Sequence, residues 1–328
     1  MSNTVNDADR TNFESVYEKG QSLIEQFNSD FPNETKSFQE FIQGGLHCLR
    51  SKIKPGDEPT REKMAEAAGV DDFIRRLWVV RNNPLLKELV PHIPLLLNNE
   101  NISPLIKNDP KQNETHDKLF ELYTALLLLP LCEKIDLDHP DKSGKKSGGK
   151  KRPDIKATID GRLWSFECKA ISSNTSTRAK AYIQLLEKAF EQLSKEPTTY
   201  NITVFGFKNQ IQLDEIWPME NNSPKVWETK EEPFGKLVYI AKEIHTTFVK
   251  DEDFTTGFYQ TMSRYNSGGI LVPATLNIIM GTTSYRDNTK TPIAVLKEIQ
   301  LWPFGQLDPQ IQIMAQRITD QLHYLGGG

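Results

Sequence analysis

Two carboxylates and a lysine, Asp154, Glu167 and Lys169, are the residues whose types and spacing suit chemistry in this chain. Between them lie two alternating segments, RPDIKATI and RLWSFECKAI, separated by the pair Asp160-Gly161. An Asp-Gly pair in that setting is among the strongest short-range signals for a two-residue hairpin turn. With the reversal placed there, Ile159 faces Arg162, Ala157 faces Trp164, Ile155 faces Phe166, and Asp154 faces Glu167. Directly opposed residues share a face with Cβ atoms roughly 5 Å apart, within reach of one divalent ion. The period of two along the second strand puts Glu167 and Lys169 on that face and Trp164, Phe166, Cys168 and Ala170 on the other.

Opposed carboxylates repel each other, and both ionise readily only when a cation stands between them. Mg²⁺ suits the pair, with Mn²⁺ as the expected substitute, because it takes few carboxylate oxygens and keeps waters for a phosphate and a nucleophile. Lys169 on the same face can hold the attacking water and offset charge developing on a scissile phosphate. These are the parts that phosphodiester hydrolysis requires. The plainer reading is a solvated sheet face with an ordinary carboxylate-lysine pair, and the hairpin register favours the chemical one.

The elements that must carry the hairpin can be read on either side of it. From Asn12 to about Leu105 the apolar spacing is helical, punctuated by Asn82-Asn83-Pro84 and by residues 98–104. A helix from about Thr115 to Leu131 is apolar nearly all round and belongs in a core. Glu133 to Leu137 reads as a short strand. The Lys142 to Arg152 stretch, rich in Gly, Ser and Lys, reads as a basic loop that could track a phosphate backbone beside the site or could be only a solvated connector. After the hairpin, Arg178 to Leu193 places Ile183, Leu186, Phe190 and Leu193 on one helical stripe, and Tyr200 to Phe207 reads as a strand. Further on, Gly268 to Met280 reads as extended chain, and Ile293 to Ile299 and Gln310 to Tyr324 as helices.

Pro153-Asp154, a spacer, and Glu167-Cys168-Lys169 in a hairpin resemble the PD-(D/E)XK motif of restriction-endonuclease-like nucleases. The resemblance implies an α/β fold with an αβββαβ core over 110–208, preceded by a helical region, 1–109, and followed by an α/β extension, 209–328. It covers about a third of the chain. It also implies that a Glu on the first core helix assists the metal site, which points to Glu121, and that a Gln on the following helix can contribute, which points to Gln184. Arg178 and Lys180 near the start of that helix, with Lys150, Lys151 and Arg152 in the basic loop, are the corresponding candidates for nucleic-acid contact. DNA is the substrate that the resemblance implies. A homodimer, a co-encoded protein partner needed for activity, and a non-catalytic binding module on the same fold stay open as alternatives.

Composition excludes other classes. The 328 residues carry a formal charge of −4, so contact with a polyanion must rest on local charge and not on the overall balance. The longest apolar run, Leu122 to Cys132, is about half the length a bilayer needs, and the N-terminal residues lack the pattern of a secretory signal, so a cytoplasmic protein is expected. Cys48, Cys132 and Cys168 form no C-x-x-C pair, and the six histidines show no i, i+4 spacing, so neither a disulfide framework nor a zinc site is expected. Cys168 should point into the core and not act as a nucleophile. SGKKSGGKK lacks the order of a phosphate-binding P-loop, so nucleotide hydrolysis is not supported.

Overall fold

The computed structural model describes residues 7–30, 60–92, 113–138, 152–171, 178–195, 198–207, 211, 213–266, 274–287, 291, 293–302 and 308–324. The expected helical stretches across 31–59 and 93–105, the basic run 142–151 and residues 268–273 lie outside them. Helix α1 (Asp7–Asp30) buries Leu23, Ile24 and Phe27 on one stripe, and α2 (Arg61–Val80) buries Phe73, Ile74, Leu77 and Val80. A 3₁₀ turn (Pro84–Glu88) follows, its start capped by Asn83, whose side chain accepts from the Leu85 amide at 2.9 Å. Helix α3 (Asn113–Leu128) is buried almost all round from Leu119 onward. It ends where Pro130 enters a 3₁₀ turn (Leu129–Leu131).

Strands β1 (Lys134–Leu137), β2 (Ile155–Ile159) and β3 (Arg162–Ala170) form an antiparallel meander. The β2–β3 register is the expected one, from Ile155 opposite Phe166 to Ile159 opposite Arg162. Both turn residues have positive φ, 51° at Asp160 and 68° at Gly161, as a type I′ turn requires. Helix α4 (Arg178–Lys195) carries the chain back to β4 (Tyr200–Phe207), which runs parallel to β3. A short helix, α5 (Leu213–Ile216), and the two-residue strands β5 (Met219–Glu220), β6 (Ser223–Pro224) and β7 (Val226–Trp227) lead to α6 (Glu231–Lys250) and α7 (Glu252–Asn266).

The chain then returns to the central sheet. β8 (Ala274–Tyr285) lies parallel beside β4, and β9 (Ile293–Trp302) runs antiparallel along the opposite edge of β8. Helix α8 (Pro309–His323) closes the described chain. This is an α/β protein, and among the described residues its main sheet is mixed and seven-stranded, in the order β1-β2-β3-β4-β8-β7 with β9 on β8.

Ile293 to Ile299, expected as helix, is therefore strand. The segment IAVLKEIQLW has apolar residues at both helical and alternating spacings, and the adjacent charges Lys297 and Glu298 break the visible alternation. Pairing with β8 along ten residues, from Ser284 opposite Ile293 to Thr275 opposite Trp302, decides for the strand.

The sheet is covered on both faces. Side chains from α1, α2, α3 and α8 share one apolar core with Ile155, Trp164, Phe166, Ile202 and Leu276. Side chains from α4, α6 and α7 share the other with Phe205, Phe207, Ile279 and Trp302. Burying a side chain of this size stabilises by about 1.5–3 kcal/mol. The first core holds a buried charged group: Lys297 of β9 pairs with Asp72 of α2, and Asp72 also accepts from the Tyr123 hydroxyl of α3 at 2.9 Å. One turn on, Arg76 donates to the Leu322 and Tyr324 carbonyls at 2.7 and 2.8 Å, capping the end of α8. Among the described residues no helix is long and apolar enough to cross a membrane.

Candidate active site

The hairpin brings Asp154, Glu167 and Lys169 together at the end of β2 and β3 away from the turn. Asp154 Oδ2 accepts from the Cys168 amide at 2.8 Å, and Glu167 Oε2 accepts from the Asp154 amide at 3.2 Å. Each carboxylate is thus tied to the other's strand. The Lys169 ammonium donates to Glu167 Oε1 and stands 3.8 Å from Asp154 Oδ2. Glu167 is 0% exposed and Asp154 is 7% exposed; β4 lies beside β3 in the sheet and α4 packs on β3. Cys168 points the other way, into the first core, where burial raises its thiol well above the ordinary value and disfavours the thiolate.

Glu121 joins the group from α3. It is 7% exposed and paired with Lys118 one turn before it. Gly206 of β4 lets the helix come this close. A methyl group there would stand 2.7 Å from the Phe120 ring, so the absence of a side chain sets the distance between α3 and the sheet.

Two further residues belong here that the motif did not announce. Asp138 follows β1 directly, and its amide donates to the Asp154 carbonyl at 2.9 Å, continuing the β1–β2 register by one pair. Asp138, Asp154 and Glu167 therefore stand in a row across three neighbouring strands. Lys118 is the second. Its signal was present in part, since it lies three residues before Glu121 on one helical face. Asp138 had no local signal, because the β1–β2 pairing is interrupted by the long basic run.

Electrostatics follow from this crowding. Burial, and then the charge of Asp154, push the Glu167 carboxyl up to about 9, against the pull of Lys169 and the Asp154 amide. Burial and Asp154 push Glu121 up to about 8, with Lys118 and Lys169 pulling back. Burial disfavours the Lys169 ammonium, but Asp154 and Glu167 outweigh it and hold the proton more tightly than in free lysine. Burial raises the Asp138 carboxyl, opposed by Lys118 and reinforced by Asp154. Without a further cation Glu121 and Glu167 therefore hold their protons at neutral pH. Among the described residues no three His, Cys, Asp or Glu side chains are grouped as a ready-made metal cage. The pair Asp154 and Glu167 is the donor set on offer, and two carboxylates completed by water suit Mg²⁺.

The expected nucleic-acid contacts are placed less centrally. Arg152 donates to Asp136 of β1 at 2.8 Å and is partly exposed. Lys180 and Gln184 are exposed on α4, and neither bonds to Asp154, Glu167 or Lys169. Arg178 opens α4, but its side chain, like Lys150 and Lys151, lies outside the described residues. Comparison with protein-family models, curated proteins and solved structures finds no match for this chain.

Proposed function

We propose that this protein is a Mg²⁺-dependent nuclease of the PD-(D/E)XK, restriction-endonuclease-like kind, hydrolysing DNA phosphodiester bonds. The observation that carries the reading is the convergence of Asp154, Glu167 and Lys169 on one buried hairpin edge, with the lysine shared between the two carboxylates. The order of α3, β1, β2, β3, α4 and β4 agrees with the αβββαβ core that the motif implies. The choice of DNA rests on the motif's resemblance.

In this mechanism Asp154 and Glu167 would hold the divalent ion, and Glu121 would approach from the helix side. The ion supplies Lewis acidity and a water made acidic enough to attack at neutral pH. Lys169, on the same face as Glu167, would orient the attacking water and offset charge on the phosphate. The backbone amides of Asp154 and Cys168 keep the two carboxylates aimed, so little reorganisation is needed at the moment of reaction.

Purified protein incubated with plasmid or oligonucleotide DNA and Mg²⁺ or Mn²⁺ should nick or cut it, and a chelator should stop the reaction. Asp154→Asn, Glu167→Gln and Lys169→Met should each lower the rate by roughly 100-fold or more while the fold is kept. Full activity in all three variants would show that the chemistry lies elsewhere. Divalent-ion binding and DNA binding without cleavage would point instead to a binding module or to a subunit awaiting its partner.

A further inference from the structure

The site contains a second ammonium that the motif does not provide. Lys118 reaches it from α3, is paired with Glu121, and keeps 25% of its side chain exposed. Burial works against its charge, but Glu121, Asp154 and Asp138 all favour it. Lys169 stands 3.8 Å from Asp154 on the strand side, and Lys118, paired with Glu121, is carried by the helix that packs on β3. The site is therefore bordered by two cations on different elements.

Counting charge shows why both are needed. With a divalent ion bound, Glu121, Asp138, Asp154 and Glu167 are four negative charges, and the ion with Lys169 supplies three positive ones. A phosphodiester would then enter a site of its own sign, which is unfavourable at these distances. Lys118 brings the site to neutrality. Its present partner, Glu121, is also the carboxylate that would be drawn towards the ion, and that shift would free the ammonium on the side open to solvent.

We propose, resting on the nuclease reading above, that Lys118 is a second substrate-contacting residue, donating to a non-bridging oxygen of the scissile phosphate opposite Lys169. No proton leaves it; it acts through charge and hydrogen bonding alone. The competing account is an i, i+3 helix pair that serves stability only.

Binding of a duplex oligonucleotide, measured over a range of salt concentrations with Ca²⁺ as the probe ion, separates the two accounts, alongside cleavage in Mg²⁺. Lys118→Met should reduce the slope of log K against log salt by about 1, since one phosphate contact is lost. Its cleavage rate should fall by roughly 100-fold, and Lys118→Arg should restore the slope. A stability-only role predicts an unchanged slope in folded protein. Lys118→Gln, which can still donate to Glu121, supplies the same reading if the Met variant folds poorly. Wild-type slope and wild-type cleavage in either neutral variant would overturn the Lys118 assignment and leave the nuclease reading standing. A wild-type protein that neither binds nor cuts nucleic acid would overturn the nuclease reading, and this assignment with it.

Discussion

Asp154 and Glu167 hold each other's strands: the Asp154 carboxylate accepts from the Cys168 amide at 2.8 Å, and the Glu167 carboxylate accepts from the Asp154 amide at 3.2 Å. These bonds fix two like charges side by side in a buried place. The arrangement is stable only with protons or cations between them. Several measurable consequences come from that tension.

The first concerns pH. Glu121 and Glu167 hold their protons in the folded chain up to about 8 and about 9, against 4.5 for the free side chain. Between those limits the folded state binds more protons than the unfolded one, so metal-free stability should fall as pH rises through the window. On the proposed nuclease reading Mg²⁺ would compete with the same protons, so its affinity should rise from about pH 7 to about pH 9 and binding should release protons. Calorimetric titration in two buffers of different ionisation enthalpy reads the release directly. An affinity independent of pH across this range would remove Glu167 as a ligand.

Asp154→Asn tests the repulsion itself. The amide oxygen can still accept from the Cys168 N–H, while burial stays and the Asp154 charge, the second cause that raises both glutamates, is gone. Both glutamates should then release their protons at lower pH, so the fall in metal-free stability with rising pH should end at a lower pH, and Mg²⁺ should no longer stabilise the protein. Urea unfolding with and without the ion measures both effects. A pH dependence unchanged from wild type would mean that burial alone, and not the Asp154 charge, raises the two glutamates.

Gly206→Ala tests how the helix is seated. The new methyl would meet the Phe120 ring at 2.7 Å, and that ring is itself buried and hemmed in. Overpacking of this kind costs about 1–3 kcal/mol. Because Glu121 and Lys118 ride on the same helix, cleavage should fall further than the Asp154–Glu167–Lys169 hairpin alone would dictate. Unchanged stability together with unchanged cleavage would show that α3 is free to move.

Lys297→Met tests the buried pair under β9. Asp72 would keep the Tyr123 hydroxyl but lose its cation, and stranding a buried charge costs about 3 kcal/mol or more. The double variant Lys297→Met with Asp72→Asn should recover part of that loss. Equal loss in the single and double variants, measured by chemical unfolding, would mean that the pair is not coupled.

What the amino-acid sequence determined by itself was local. The Asp160-Gly161 turn set the register, and strand alternation then set the faces, so the positions of Asp154, Glu167 and Lys169 followed from residues close together in the chain. The tertiary structure decided whatever needed a distant partner. β9 became a strand because β8 offered it an edge, Asp138 joined the row because β1 pairs with β2 across the basic run, and the Lys118–Glu121 pair sits by the hairpin because Gly206 admits α3. A turn depends on the φ values its own residues tolerate, whereas sheet pairing and helix seating depend on surfaces that exist only once the rest of the chain has folded.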